Sequence, residues 1–288
     1  MTTRHVLLEQ WSKGLAEVGH AIGQPRFATV LLDAVRRLVD FDFVMAFAYR
    51  GKDQPVILDD TLDHTRHRII ATDYAAGPFQ LDPFYKLVSD GACRGCYRLH
   101  DIAPDHFRRS EYFRAHYSRT GIGEEVGFVF ATGNGYTGVT SLARWTSSPP
   151  LTRSDLDILQ AIEPAVGGFS RQQWANPGAS AFEQKPQQTI ARLGFRLLSA
   201  REREIVTLIL QGHSTQSVAL QLDISPGTVK IHRKNIYRKL KISTQAELFA
   251  AFLGSFDGLQ PSYSQGDIPA EPDIAQSTAK TRSIGGTP

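Results

Sequence analysis

Residues 198–253 carry helix start and stop signals so regularly that little except a bundle of short helices accommodates them. Ser199-Ala200-Arg201-Glu202 fits a capping box: the serine hydroxyl can accept from the amide three residues on, and the glutamate can reach back to the serine amide. Ile205, Val206, Ile209 and Leu210 then space an apolar face, and Gly212 supplies the residue type that ends a helix. Ser214 can cap a second helix carrying Val218, Ala219 and Leu222, with Asp223-Ile224 as the turn after it. Ser225-Pro226 gives a third helix its N-cap and a proline at the first helical position. Thr244-Gln245-Ala246-Glu247 repeats the capping box and opens a fourth helix through Leu253.

The third helix has two unlike sides. Val229, Ile236 and Leu240 fall on one stripe, which predicts a buried face. Lys230, Lys234, Tyr237, Arg238 and Lys241 fall largely off it. One side packs while the other projects cations, and a helix of that size fits the DNA major groove. A second helix, a tight turn and a third helix form the helix-turn-helix arrangement, with the third element of this module as reader. His232 lies toward the packed side and reads as structural.

The run Leu198-Ser199-Ala200-Arg201-Glu202-Arg203-Glu204-Ile205, then Gly212-His213-Ser214, Val218-Ala219, Ile224-Ser225-Pro226-Gly227-Thr228-Val229-Lys230-Ile231-His232 and Asn235-Ile236-Tyr237-Arg238-Lys239-Leu240 resembles the LuxR-type DNA-binding domain. Two departures stand out: Lys241 occupies a place where that family usually has glycine, and Thr215-Gln216-Ser217-Val218 replaces a more usual Asn-Lys-Glu-Ile. The resemblance implies that Lys230, Ile231 and Lys234 approach base edges, while Thr228, Arg233, Arg238 and Thr215 hold phosphates. It also implies a homodimer on a two-fold operator of double-stranded DNA, with RNA polymerase as a further contact.

Charge is distributed accordingly. The whole chain is only +3, but residues 191–253 hold ten Lys/Arg against four Asp/Glu, leaving the rest slightly acidic. A compact basic segment on an acidic body is the footprint of a polyanion partner. The first residues show no signal-peptide core, apolar runs are too short to span a bilayer, and two cysteines make no disulfide framework. The expected setting is the bacterial cytoplasm, on the nucleoid when bound, with no membrane partner.

Residues 1–174 mix helical and strand-like patterns: a helix over 24–39, strands over 41–49 and 56–58, a helix over 66–76, a strand over 96–102, a helix over 107–118, and strands over 125–132 and 138–145 joined at Gly133-Asn134-Gly135. A closing helix over 152–174 is capped by Thr152 with Asp155 three residues on and is a candidate dimer seam. The order predicts an α+β domain with an antiparallel sheet and flanking helices, GAF- or PAS-like in architecture. Residues 175–191, rich in Pro and Gln, read as a linker; 192–253 form the all-α module; 254–288 read as a disordered tail.

Two features of the first block invite chemistry. Cys93-Arg94-Gly95-Cys96 has the spacing of a redox pair or half a zinc site, but no second such pair exists, so ordinary loop cysteines and no metal are expected. Tyr74 through Asp82-Pro83-Phe84-Tyr85 loosely resembles the ligand-holding segment of LuxR-type quorum sensors, without its tryptophan: Trp11, Trp145 and Trp174 lie elsewhere. That makes Tyr74, Phe79, Asp82, Phe84 and Tyr85 candidates for a small-molecule effector site. The competing reading is that Asp82-Pro83 caps a helix and the aromatics are core. No G-x-S-x-G, phosphate-binding glycine loop or H-E-x-x-H is present, so no catalytic residue and no cofactor is expected. The function expected is a one-component regulator, its first domain sensing a small molecule or partner and controlling DNA binding or dimerisation. An enzyme-like or redox-sensing first domain with a DNA-targeting module is the alternative.

Overall fold

The computed structural model describes residues 3–177 and 197–254. Most of the expected linker and all but the first residue of the expected tail lie outside the described residues. The first domain is built on a five-stranded antiparallel sheet of β1 (Phe43–Tyr49), β2 (Val56–Asp60), β3 (Arg94–Arg98), β4 (Ile122–Ala131) and β5 (Thr137–Trp145), in the order β2-β1-β5-β4-β3. The expected α+β class holds.

Both faces of the sheet are covered, which is why β1 is buried at every residue. Val44 and Ala46 face α1 (Thr3–Ala21), α2 (Phe27–Arg36) and the long helix Arg153–Gln173, meeting Phe27, Leu31, Leu159 and Val166. Phe43, Met45, Phe47 and Tyr49 alternate with them and face the other side, where the helical segments between strands bring Ile70, Tyr74, Phe79, Tyr112 and Tyr117. The hairpin is closed by Asn134 and Gly135, both at positive φ, as a two-residue turn joining right-twisted strands requires.

The sequence reading missed α1. Its buried side is small (Gly14, Val18, Ala21), and at Gly14 an added Cβ would stand 3.0 Å from that of Ala34, so the helix is held by close approach to α2 rather than by a stripe of large apolar residues. The strand expected over 96–102 is corrected: β3 ends at Arg98, and Leu99–Ile102 turns into a helical segment. The expected 107–118 helix is broken at Ser110, whose hydroxyl restarts it by accepting from the Phe113 amide at 3.0 Å. With α3 as Pro83–Ser89, Arg153–Gln173 becomes α4; its Thr152–Asp155 capping box forms as expected. Its apolar residues Leu159, Ile162 and Val166 are used against the sheet, so the stripe proposed as a dimer seam is occupied within one chain.

The second domain consists of α5 (Ala200–Gln211), α6 (Thr215–Leu222), α7 (Pro226–Leu240) and α8 (Gln245–Leu253). Every cap read from the sequence forms: Ser199, Ser214, Ser225 and Thr244 accept from the amides of Glu202, Ser217, Thr228 and Glu247. The two domains touch. At Gly212 the left-handed turn that ends α5 (φ +98°) comes so near the first domain's backbone that an added Cβ would lie 2.7 Å from the Phe107 Cα. The His106 amide donates to the Gly212 carbonyl at 2.9 Å, and the Ser214 amide to Asp105 at 2.9 Å.

Candidate nucleic-acid interface and sensor core

Helix α7, the expected reader, is fixed from below. Val229 and Ile236 are fully buried and Leu240 packs half-buried beside them. Burying one such side chain contributes roughly 1.5–3 kcal/mol, enough for this pair to set the rotation of a short helix. Lys239, also on α7, turns inward instead of toward a ligand: its Nζ donates to both Glu202 carboxylate oxygens at 2.8 and 2.7 Å. Burial raises the Glu202 pKa, but the hydrogen bonds from Lys239 and Ser199 outweigh it and hold the carboxyl below its ordinary value. The capping glutamate is thus also the anchor between α5 and α7, a link the sequence pattern did not reveal.

That rotation leaves the opposite face open. Lys230 and Lys234 are exposed, with no acidic partner among the described residues, and Ile231 between them is 63% exposed. An aliphatic side chain that far out of the core, flanked by two lysines, has an apolar surface ready for a thymine methyl and cations ready for guanine O6 and N7. Of the expected phosphate contacts, Arg238 is exposed and donates to Asn235 Oδ1 at 3.1 Å, while Thr228 sits half-buried in the first turn. Arg233 is held over the Tyr237 ring at 5.2 Å and donates to its hydroxyl at 3.1 Å. Thr215 and Arg233 share a cleft of about 200 Å³ with His106 and Arg109 of the first domain. Cations of both domains therefore border one side of the reading helix.

The candidate effector residues of the first domain gather on the sheet face nearer the second domain. Tyr74, Phe79, Asp82 and Phe84 are buried, and Phe84 lies where a side chain at residue 127 would stand, a space left open by Gly127. Asp82 does what the competing reading expected: it caps α3, accepting from the Phe84 and Tyr85 amides at 2.8 and 3.3 Å. It does more besides, since its other oxygen accepts from Tyr112 at 2.9 Å and Tyr117 at 3.1 Å. Tyr117 also reaches buried Glu125 at 3.0 Å. Tyr74 does not bond Asp82; its hydroxyl meets that of Tyr49 at 2.7 Å. Tyr85 is half-buried and its hydroxyl donates to the Gly51 carbonyl at 3.1 Å, away from this network.

Two carboxyls thus share one interior. Burial raises the pKa of both; for Asp82 four donors work against it, whereas burial and the Asp82 charge push Glu125 up to about 8. The Tyr117 hydroxyl has one proton for two carboxyl neighbours, so its second contact needs a proton on a carboxyl, and burial beside the Asp82 charge favours Glu125 as the one that holds it. Burial also lowers His116 to about 4, leaving it neutral. Tyr117 and Glu125 line a cavity of about 530 Å³ whose other walls include Leu99, Phe107 and Phe113, with Arg108 and Arg109 also lining it. Tyr112, Tyr117 and Glu125 were not found from the sequence. The available signal was an acid beside Val126 in a strand with both faces covered.

Cys93 is exposed and Cys96 buried, and both are free thiols. Burial and the nearby Glu163 push the Cys96 thiol up to about 12, opposite to what an attacking thiolate needs. Among the described residues no cluster of His, Cys, Asp and Glu could hold a metal ion, and no helix is long and apolar enough to cross a membrane.

Comparison with known proteins places this geometry. Residues 196–251 match the family model described as bacterial regulatory proteins, luxR family. A protein of Aeromonas salmonicida, named as an HTH-type transcriptional regulator in the exeN 3′ region, is 34% identical over 183 residues, covering 60% of this chain and 93% of that protein. The response regulator protein TmoT of Ectopseudomonas mendocina is 31% identical over 132 residues, 44% of this chain; the match spans 55% of TmoT. Among solved structures, the LBD domain of VqsR from Pseudomonas aeruginosa has a TM-score of 0.50 at 19% identity, over 57% of this chain and 95% of that one. That last likeness is one of fold.

Proposed function

The chain belongs to the LuxR family of bacterial regulatory proteins, and from that membership we propose how this transcriptional regulator recognises DNA and what governs it. Lys230, Ile231 and Lys234 read base edges in the major groove, while Thr228, Arg233, Arg238 and Thr215 hold the phosphates that fix register. The observation that carries this reading is the exposed, unpaired face of α7, with Ile231 standing between two lysines. One reading helix covers a half-site, so the working form is a homodimer on a two-fold operator in the bacterial cytoplasm, with RNA polymerase as a further contact. The units are those read from the sequence: a sensing and dimerising domain to residue 174 and a reader from 192 to 253.

The first domain controls this binding through a small molecule taken up at the Asp82–Tyr117–Glu125 network, which the 530 Å³ cavity reaches. An effector hydroxyl or amide would compete for the same carboxyl oxygens. Coupling of this kind is worth ~1–3 kcal/mol, about five- to 150-fold in operator affinity.

Genome-wide mapping of bound DNA followed by titration of the recovered fragments tests the reading. Lys230→Ala and Lys234→Ala should each weaken the specific fragment by about 1–3 kcal/mol and relax preference at a base position. Specific binding untouched by both substitutions would remove α7 as the reader.

A further inference from the structure

A cavity of about 450 Å³ lies where the two domains meet. Gln80 and Tyr85 wall it from the first domain, and Arg203, Thr207, Leu208 and Gln211 from α5. Its size falls within the ordinary range for small-molecule sites. Gln211 is only 4% exposed, and its Oε1 is the one side-chain polar atom identified among the described residues as buried without a hydrogen-bond partner. The amide cannot simply turn over. Its Nε2 donates to the Gln80 carbonyl at 3.4 Å, and the reversed amide would set two acceptors against each other. That oxygen is closed off from the cavity itself, so an occupant does not reach it.

The charges around the cavity define what could occupy it. Lys86 is neutralised by Asp90 and Glu204 by Arg201. Among the described residues Lys52 is exposed with no acidic partner, and Arg203 has none either, its guanidinium donating to the Leu198 carbonyl. Leu208, Leu222 and the Tyr85 ring supply apolar surface between these groups. We propose that this interdomain cavity binds an amphipathic organic anion: the anion meets Lys52 and Arg203, and the apolar body fills the space between. Both domains supply walls, so the occupant binds only their docked arrangement and stabilises it by mass action. The site is separate from the Asp82 network and does not depend on it.

Anilinonaphthalene sulfonate combines two aromatic ring systems with one anionic group and serves as the probe on the full chain. Its fluorescence titration should give one site per chain. Thr207→Trp should fill the cavity and abolish that site, and exposed Lys52→Ala, which leaves the fold intact, should weaken it by about threefold. Ala103→Trp, in the 530 Å³ cavity, should change nothing. Unaltered binding in both Thr207→Trp and Lys52→Ala, or loss in Ala103→Trp, would overturn the proposal. No DNA enters the assay, so the result stands apart from the fate of the DNA-reading assignment.

Discussion

The two domains place their charged groups in opposite ways. In the reader, Lys230 and Lys234 stand in water, and the one buried carboxylate, Glu202, is neutralised by Lys239. In the sensor, Asp82 and Glu125 are buried together, held by hydroxyls and amides, with no cation among their hydrogen-bond partners in the described residues. A charge in water costs little to keep and acts at a distance, but salt screens it. A carboxyl in the interior is shielded from salt, and its protonation state becomes part of the fold. The reader should therefore answer to ionic strength, the sensor to pH.

Ionic strength gives the largest expected effect. If each reader neutralises about four phosphates, a dimer neutralises about eight, and log K should fall against log salt with a slope near −7. Between 50 and 200 mM salt that is a loss of about ten-thousandfold. Titration of a bound genomic fragment across that range measures it. A flat response would mean that the exposed lysines do not meet phosphates or bases, and the contrast between domains would fail on the reader's side.

Glu125 tests the other side. Its folded pKa of about 8 lies above its ordinary value of 4.5, so over that window the folded state holds a proton that the unfolded chain releases. Stability from this group is fully present below about pH 4.5 and is lost as pH rises toward 8, by about 4 kcal/mol at the outside. Urea midpoints of the natural chain should fall between pH 6.5 and 8; between pH 5 and 6.5 the buried His116, lowered to about 4, gains stability as pH rises and offsets most of the Glu125 loss. Glu125→Gln should flatten that trend and be the more stable of the two at pH 8. One molar salt should leave the difference in place; if salt erased it, the carboxyl would have to be reached by solvent.

This contrast also decides what could be read in advance. Helix caps act within four residues, so Ser199, Gly212, Ser214, Ser225 and Thr244 announced the reader's helices, and the faces of α7 followed from spacing alone. The sensor's strands and its hairpin turn were legible for the same reason. Its polar core was not: Asp82, Tyr112, Tyr117 and Glu125 come from separate segments, and only the packing of the helical segments against the sheet brings them together. Asp82 showed its local role as a cap but not its second shared oxygen. The Glu202–Lys239 anchor and the Gly212–Phe107 contact are long-range in the same sense, which is why the second purpose of two well-read residues stayed hidden.

Gly212 sharpens the boundary between the regions. Any side chain there faces two penalties, a left-handed backbone and the Phe107 backbone 2.7 Å from its Cβ. Gly212→Ala should cost about 2–3 kcal/mol and weaken the docking, seen as lost protection of the His106 and Ser214 amides in hydrogen exchange. A cost near 1 kcal/mol with docking amides still protected would mean that the domains shift apart without penalty, and that the Gly212 turn is not their joint.

Lys241 gives the smallest effect and the cleanest one. It stands where the LuxR pattern has glycine, and it adopts φ +56° as the left-handed residue closing α7. Its amide donates to the Arg238 carbonyl at 3.3 Å, so the terminating turn forms despite the side chain. A residue with a Cβ pays roughly 1–2 kcal/mol for that conformation, and glycine gives part of this back through the greater freedom of its unfolded chain. Lys241→Gly should therefore stabilise the reader by about 0.5–1 kcal/mol in chemical denaturation. DNA affinity moves the other way if Lys241, exposed at the cationic end of α7, also neutralises a phosphate: the salt slope would fall by about one per reader. Stability gained with an unchanged slope would confine the reading surface to the amino-terminal turns of α7; a reduced slope would extend it to the last.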